Sequence, residues 1–389
     1  MVSFEFATAG RILFGPGRLA DVPAQVTALG LTRVLFVTGS SGERSAPLRS
    51  ALIERGIAAV PYAVVGEPTL DTAREGVSRA FADGCDGVVA MGGGSPLDAG
   101  KAIASLLANG GDPLDYIEVI GRGRPITHTS IPMIAIPTTA GTGSEVTRNA
   151  VLVAPDERVK ASMRSPHMLP RLAVVDPDLL AGAPHEVLAA GGLDALSQLI
   201  EPYLSTRANP FTDALAAQGI PLSARSLKST SLDGASEPFA RIDLALASVL
   251  GGLCLANAGL GAVHGFAAPA GGMFDAPHGA ICAALLAASL EVNLKAMRAR
   301  DPDNPALERM GDVALWLSGS PEPEAAIEWV RDVCRELAVP GLAACGMSKE
   351  DLPELVARAR VASSMRGNPI ALTDDELFEI AEGSLGAAP

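Results

Sequence analysis

Short unbroken apolar runs alternate with helically spaced ones along the first half of the chain. Arg33–Val37 (RVLFV), Ala58–Val65, Gly87–Met91 (GVVAM), Met133–Pro137 and Leu172–Val175 have the length and composition of buried strands. Between them, Pro47–Arg55, Asp71–Asp83 and Pro96–Asn109 carry apolar residues at the spacing of a helix face. This alternation predicts a parallel sheet with crossover helices, and such sheets hold ligands at the carboxyl ends of their strands. After Asp176-Pro177-Asp178 the strand signals stop. From Leu179 onward the chain reads as Ala/Leu-rich helices broken by Gly and Pro, with the polar stretch Lys228–Glu237 as a loop between two of them. The expected fold is an α/β N-terminal domain, a parallel sheet with flanking helices, over residues 1–178. An all-helical C-terminal domain over residues 179–389 follows it. A cleft between two such halves is the expected place for chemistry.

Composition narrows the class. The chain has 389 residues, 48% apolar and 19% charged, which excludes a disordered chain and suits two well-buried cores. A formal net charge of −14 speaks against nucleic acid or an anionic membrane surface as partner. The five cysteines are scattered and form no CxxC pair, so they read as small buried residues of a reducing compartment. The first residues, MVSFEFATAGRILFG, lack the charged-then-apolar order of a signal peptide, and no apolar run looks long enough to span a bilayer. A cytoplasmic protein is expected.

Three constellations carry candidate chemistry. The run Gly87–Met91 leads straight into Gly92-Gly93-Gly94-Ser95-Pro96-Leu97-Asp98. Glycines there allow close backbone approach, Ser95 is placed to cap the next helix, and Asp98 stands three residues later, as in a capping box. Free N–H groups at that helix start suit a pyrophosphate, although a well-capped tight turn has the same residues. The pattern is not GxGxxG. A second loop, Pro137-Thr138-Thr139-Ala140-Gly141-Thr142-Gly143-Ser144-Glu145, also leaves a strand and is rich in small residues and hydroxyls. Two such loops in one sheet favour a dinucleotide site. In the helical half, Asp194 and Gln198 share a helix face, and His264 and His278 flank the stretch GFAAPAGGMFDAP. One carboxylate and two imidazoles can hold Zn²⁺ or Fe²⁺ with a position open to substrate, though each histidine could equally be structural.

Taken together and in order, GGGSPLDAGKAIA, IPTTAGTGSEVTRNAVL, DPDLL, GGLDALSQLIEPYLS and NAGLGAVHGFAAPAGGMFDAPHGA resemble the iron-containing (group III) alcohol dehydrogenase family. The resemblance covers nearly the whole chain, including an opening hairpin before Phe14-Gly15-Pro16-Gly17. It implies an NAD(P)-dependent alcohol dehydrogenase or aldehyde reductase in which Fe²⁺ or Zn²⁺ assists hydride transfer to or from a small alcohol or aldehyde. It makes Asp194, His264 and His278 metal ligands, catalytic through the metal. It places the cofactor on Gly93, Gly94, Ser95 and Asp98, and on Thr138, Thr139 and Thr142. Lys160 matches a contact to the ribose, and Asn149 one to the nicotinamide or the substrate. A homo-oligomer, first of all a dimer, is implied as well.

Three departures from the family pattern qualify this. Gln198 stands where the family usually has a histidine. Glycerol dehydrogenases hold zinc through one aspartate and two histidines, so Gln198 reads first as a filler beside a three-ligand site and second as the weakest of four ligands. Ala268 replaces a histidine that relays a proton in many members. Gly39-Ser40 replaces a ribose-binding aspartate at the end of the first strand, which lifts the repulsion of a 2′-phosphate and admits NADP(H). The alternatives are a polyol dehydrogenase similar to glycerol dehydrogenase, a non-redox cyclase resembling dehydroquinate synthase, and a catalytically silent nucleotide-binding paralogue.

Overall fold

The computed structural model describes residues 3–40, 42–274 and 276–386; Asp275, which falls inside the stretch GFAAPAGGMFDAP, lies outside them. The chain divides into two compact units. An α/β unit comprises Ala7–Thr139 and Gly143–Leu180, and a helical unit comprises Met1–Phe6, Ala140–Thr142 and Ala181–Pro389.

The strands are β1 (Ile12–Phe14), β2 (Arg33–Gly39), β3 (Ala58–Val64), β4 (Gly87–Gly92), β5 (Met133–Pro137), β6 (Asn149–Ala154), β7 (Val159–Arg164) and β8 (Leu172–Val175). Six of them form one parallel sheet in the order β1-β8-β5-β4-β2-β3. Helices α1 (Val22–Ala28), α2 (Ala46–Glu54), α3 (Leu70–Ala82), α4 (Gly94–Asn109) and the short α5 (Pro113–Tyr116) complete the unit. The central strands β4 and β5 are buried along their whole length, as expected where helices cover both faces. Along β2, Val34 and Phe36 enter one core while Leu35 and Val37 enter the other, which is the two-residue alternation of a strand.

The topology matters for binding. From β2 the chain runs outward to β3 and then returns to β4 on the other side of β2, with Thr38 opposite Met91. That reversal is a switch point, and it sets the carboxyl ends of β2 and β4 beside each other. Thr138 N–H donates to the Gly92 carbonyl at 2.9 Å, which adds the loop after β5 to the same end of the sheet.

Three local expectations need correction. There is no opening hairpin among the described residues: β1 is a lone edge strand paired in parallel with β8, Ile12 opposite Ala173. An antiparallel hairpin occurs instead at β6–β7, where Asn149 faces Arg164; its alternation is weak in sequence because Ala150 and Ala161 are small. The capping box at α4 does not form, since the N-cap is Gly93 and no side chain caps the helix. The Asp98 carboxylate instead accepts from Ser144 Oγ (2.5 Å) and Val151 N–H (2.9 Å) and pairs with Lys101 Nζ (3.0 Å), so it ties the second loop to α4. Finally, Lys228–Leu232 is helical. Ser229 Oγ bonds back to the Ser226 carbonyl, as Ser226 Oγ does to that of Leu222, so these hydroxyls are taken up within the helix instead of in a turn.

The helical unit contains α6 (His185–Leu204), α7 (Pro210–Leu232), α8 (Pro238–Ala258), α9 (Ala262–Met273), α10 (His278–Arg300), α11 (Ala306–Ser318), α12 (Pro323–Glu336), α13 (Leu352–Val361) and α14 (Asp374–Gly383). From Gly192 to Leu204 every residue of α6 is buried, which marks it as a core helix rather than an amphipathic surface one. Two helices, Pro238–Ala258 and His278–Arg300, are long and apolar enough to cross a membrane by length and composition, contrary to the expectation from uninterrupted apolar runs. Most of their apolar stretch is buried inside the unit, as in core helices.

Behind the second loop, Glu145 is fully buried, and burial pushes its carboxyl from 4.5 up to about 7 although Lys101 opposes the rise. Its pKa is higher folded than unfolded. The folded state is therefore favoured fully below pH 4.5, and that stability is lost as pH climbs through 7. Glu145→Gln should remove this loss. Its advantage over wild type should grow by about 3 kcal/mol between those limits in denaturant titrations at stepped pH, and parallel curves would contradict it.

Candidate metal centre and cofactor loops

The metal-site candidates begin on α6. Asp194, Gln198 and Glu201 stand at i, i+4 and i+7 of one helix face, and all three are buried. Two glycines let neighbouring helices press against that face. A Cβ on Gly279 would lie 2.8 Å from the Ala190 carbonyl oxygen, so only glycine brings the start of α10, with His278, onto α6. A Cβ on Gly251 of α8 would lie 3.0 Å from the Ala195 carbonyl oxygen. The start of α9 is capped by side chains from elsewhere: Ala262 N–H donates to Asn368 Oδ1 (3.0 Å) and Val263 N–H to Glu201 Oε1 (2.7 Å). The other Glu201 oxygen lies 2.7 Å from His264 Nδ1. With Nδ1 donating there, His264 Nε2 turns to Asp194 Oδ1 at 3.3 Å.

His278 Nε2 lies 3.9 Å from the same Asp194 oxygen, and the two imidazole centroids are 5.4 Å apart. Cys282, one helical turn after His278, adds a sulfur, and one donor atom from each of Asp194, His264, His278 and Cys282 falls within 4.8 Å of all the others. Among the described residues, Asp194 Oδ1 and Gln198 Oε1 are buried without a hydrogen-bond donor. Orphaned buried acceptors are costly, and a cation among them relieves the cost, so this donor set fits a divalent metal.

In the α/β unit, the Gly39-Ser40 turn ends β2, Gly93, Gly94 and Ser95 open α4, and Thr138 and Thr139 follow β5. All of these gather at the switch-point end of the sheet. A Cβ on Gly93 would come within 3.4 Å of Thr139 Oγ1, so the two loops are already close. Thr142 groups with the helical unit. Asn149 and Lys160 lie on the separate β6–β7 hairpin, and Lys160 Nζ pairs with Glu67 at 3.2 Å.

Residues 9–177 match the model of iron-containing alcohol dehydrogenase, and residues 188–385 match the C-terminal model of the same family. Alcohol dehydrogenase 4 of Schizosaccharomyces pombe is 35% identical over 96% of this chain and 87% of its own length. The 1,3-propanediol dehydrogenase of Citrobacter freundii is 34% identical over 97% of both. A solved 1,3-propanediol oxidoreductase superposes with a TM-score of 0.90 at 32% identity, covering 98% of this chain and all of that one.

The chain belongs to the iron-containing alcohol dehydrogenase family.

It is accordingly an oxidoreductase acting on CH–OH groups, and the family implies NAD(P) and a divalent metal. Electrostatics at the donor set agree with a cation site. Burial works against the Asp194 carboxylate, yet His278, His264 and the Gln198 amide outweigh it and hold its pKa below the usual range. Burial likewise opposes charge on His278, but the Cys282 sulfur and the Asp194 carboxylate lift it to about 9.

Sequence reasoning missed two members of this dehydrogenase's site. Glu201 was legible as the i+7 position from Asp194, and Cys282 as the i+4 position from His278; the cysteine was passed over as one more small buried residue. The carboxylate of Glu201 orients His264, which is the usual role of a group behind a metal ligand. Glu201→Ala should therefore weaken zinc binding by about 10–100-fold in competitive chelator titrations. Unchanged affinity would show that Glu201 serves only to cap α9.

Proposed function

We propose that this chain catalyses reversible hydride transfer between NAD(P)(H) and a short alcohol, diol or aldehyde, with Asp194, His264 and His278 holding Fe²⁺ or Zn²⁺. The buried, unsatisfied Asp194 Oδ1 facing two imidazoles is the observation that carries this reading. When bound there, the metal lowers the pKa of a substrate hydroxyl and polarises a carbonyl, and the nicotinamide exchanges the hydride.

The chain's own residues do the rest. Asp194 supplies the compensating negative charge, and Glu201 fixes the ring of His264 through Nδ1. The free N–H groups at Gly94 and Ser95 receive the pyrophosphate at the α4 N-terminus, with Gly93 allowing the approach. Thr138, Thr139 and Thr142 offer hydroxyls to the nucleotide, and Asn149 and Lys160 contact the nicotinamide side and the ribose. Asp98 works at one remove, by holding Ser144 and the β6 backbone in place. Ala268, half-buried on α9, offers no proton-carrying atom, so the proton released from an alcohol passes to water. The intact donor set speaks against the silent-paralogue reading. A cytoplasmic location is part of the proposal, supported by the burial of the two long apolar helices. So is a homodimer, for which the exposed Phe4 and Phe211 rings, packed edge to face, are the candidate contact.

Gly39 sets the cofactor preference in this account. Among the described residues a Cβ there would meet nothing nearer than Pro96 Cγ at 4.0 Å, which leaves room for an aspartate. Wild type should reduce both NADP⁺ and NAD⁺ with short alcohols or diols, and Gly39→Asp should shift the kcat/KM ratio at least about tenfold towards NAD⁺. No cofactor reduction with any alcohol, or a wild type confined to NAD⁺, would contradict the proposal.

A further inference from the structure

Cys282 differs from the other deeply buried cysteines in what its sulfur faces. The sulfurs of Cys254 and Cys334 lie against backbone carbonyls, those of Thr212 and Ala283, as thiol donors do. Cys282 Sγ lies 3.5 Å from His278 Nε2 and 3.8 Å from His264 Nε2, and the residue is completely buried. These are the two imidazole nitrogens that also face Asp194, at 3.9 and 3.3 Å. A tetrahedral zinc shell with bonds of about 2.0–2.3 Å has ligand–ligand edges of about 3.3–3.8 Å. Cys282 Sγ to His278 Nε2 at 3.5 Å and Asp194 Oδ1 to His264 Nε2 at 3.3 Å fall on such edges, and the other two, at 3.8 and 3.9 Å, stand at or beyond the long end, so the sulfur lies near a corner of a shell that the side chains outline.

Position 198 supplies the second part of the argument. Its side chain reaches Asp194 as an amide that favours the carboxylate, and its Oε1 is left without a donor. A neutral amide is a weak ligand beside imidazole, carboxylate and thiolate. One turn into α10, on the helix that carries His278, the chain instead places a stronger one.

Resting on the metal-site reading above, we propose that Cys282 ligates the metal as a thiolate, completing an Asp194–His264–His278–Cys282 shell in place of an imidazole at position 198. Thiolate is a soft ligand, and with two imidazoles and a carboxylate it favours Zn²⁺ over Fe²⁺. Binding releases the thiol proton to solvent, with no change of oxidation state. Side-chain exposure in the shell is confined to His278, at 34%, and marks the side on which a substrate oxygen can enter as a fifth ligand.

Cobalt(II) reports both claims separately. Metal-stripped full-length protein is titrated with cobalt(II) and followed by absorption, with far-ultraviolet circular dichroism as the folding control. Wild type should show visible bands of tetrahedral cobalt together with a near-ultraviolet sulfur-to-cobalt charge-transfer band. Cys282→Ser should lose the charge-transfer band and bind zinc about 100-fold more weakly or worse, beyond the range for a supporting contact. Gln198→Ala should keep the band and near-normal zinc affinity. Adding Gln198→His to Cys282→Ser should restore zinc binding without the band. Visible cobalt bands lacking sulfur charge transfer in wild type would overturn the thiolate ligand and leave the metal site standing. Loss of metal in Gln198→Ala but not in Cys282→Ser would also overturn it. Failure of wild type to bind either metal would overturn the site itself.

Discussion

Asp194 sits inside the helical unit, on a helix buried all round, and an ionised carboxylate there costs several kcal/mol unless positive charge is brought to it. Much of the unit's local architecture follows from that constraint. Helices α9 and α10 each deliver an imidazole to the same carboxylate oxygen, and the missing side chain of Gly279 lets α10 approach closely enough to do so. Glu201, seven residues along the same face, holds the second nitrogen of His264 and the Val263 N–H in the first turn of α9, so one carboxylate helps to fix both the helix and the ring. Protons on the two imidazoles can neutralise this cluster, and so can a divalent cation. A cation also gives the orphaned Asp194 Oδ1 a direct partner.

The α/β unit solves a different problem by backbone rather than charge. A parallel sheet whose strand order turns back after β3 sets the carboxyl ends of β2 and β4 side by side, and the loops there are rich in Gly, Ser and Thr. Buried polar groups behind the loops stiffen them. Lys101 is almost wholly buried, donates to Thr147 at 3.0 Å and pairs with Asp98, which in turn holds Ser144 and the start of β6. The residues that look like cofactor contacts are thus mounted on a network of charged groups removed from solvent.

Much of this was legible in the chain. The six strands of the main sheet include five that stand out as apolar runs, because a strand covered on both faces has no polar positions to interrupt it. The β6–β7 hairpin did not stand out, since NAVLVA and VKASMR mix small and polar residues on a half-exposed ribbon. Asp98 was misread as a cap because its spacing from Ser95 is that of a capping box; its actual partners, Ser144 and Val151, are distant in sequence. The aspartate and both histidines of the site were visible through motif order, whereas Glu201 and Cys282 had only a helix-face spacing to mark them, i+7 from Asp194 and i+4 from His278, which gains its meaning once the helices pack.

The central claim is that the chemistry depends on a metal held wholly by the helical unit, while nucleotide binding does not. Dialysis against a strong chelator, followed by parallel assays of turnover and of NADPH fluorescence, tests it most directly. The account predicts that metal-stripped protein loses nearly all alcohol oxidation, keeps its affinity for NADPH, and recovers turnover when zinc or ferrous iron is returned. Full turnover in protein shown by elemental analysis to be free of metal would contradict it.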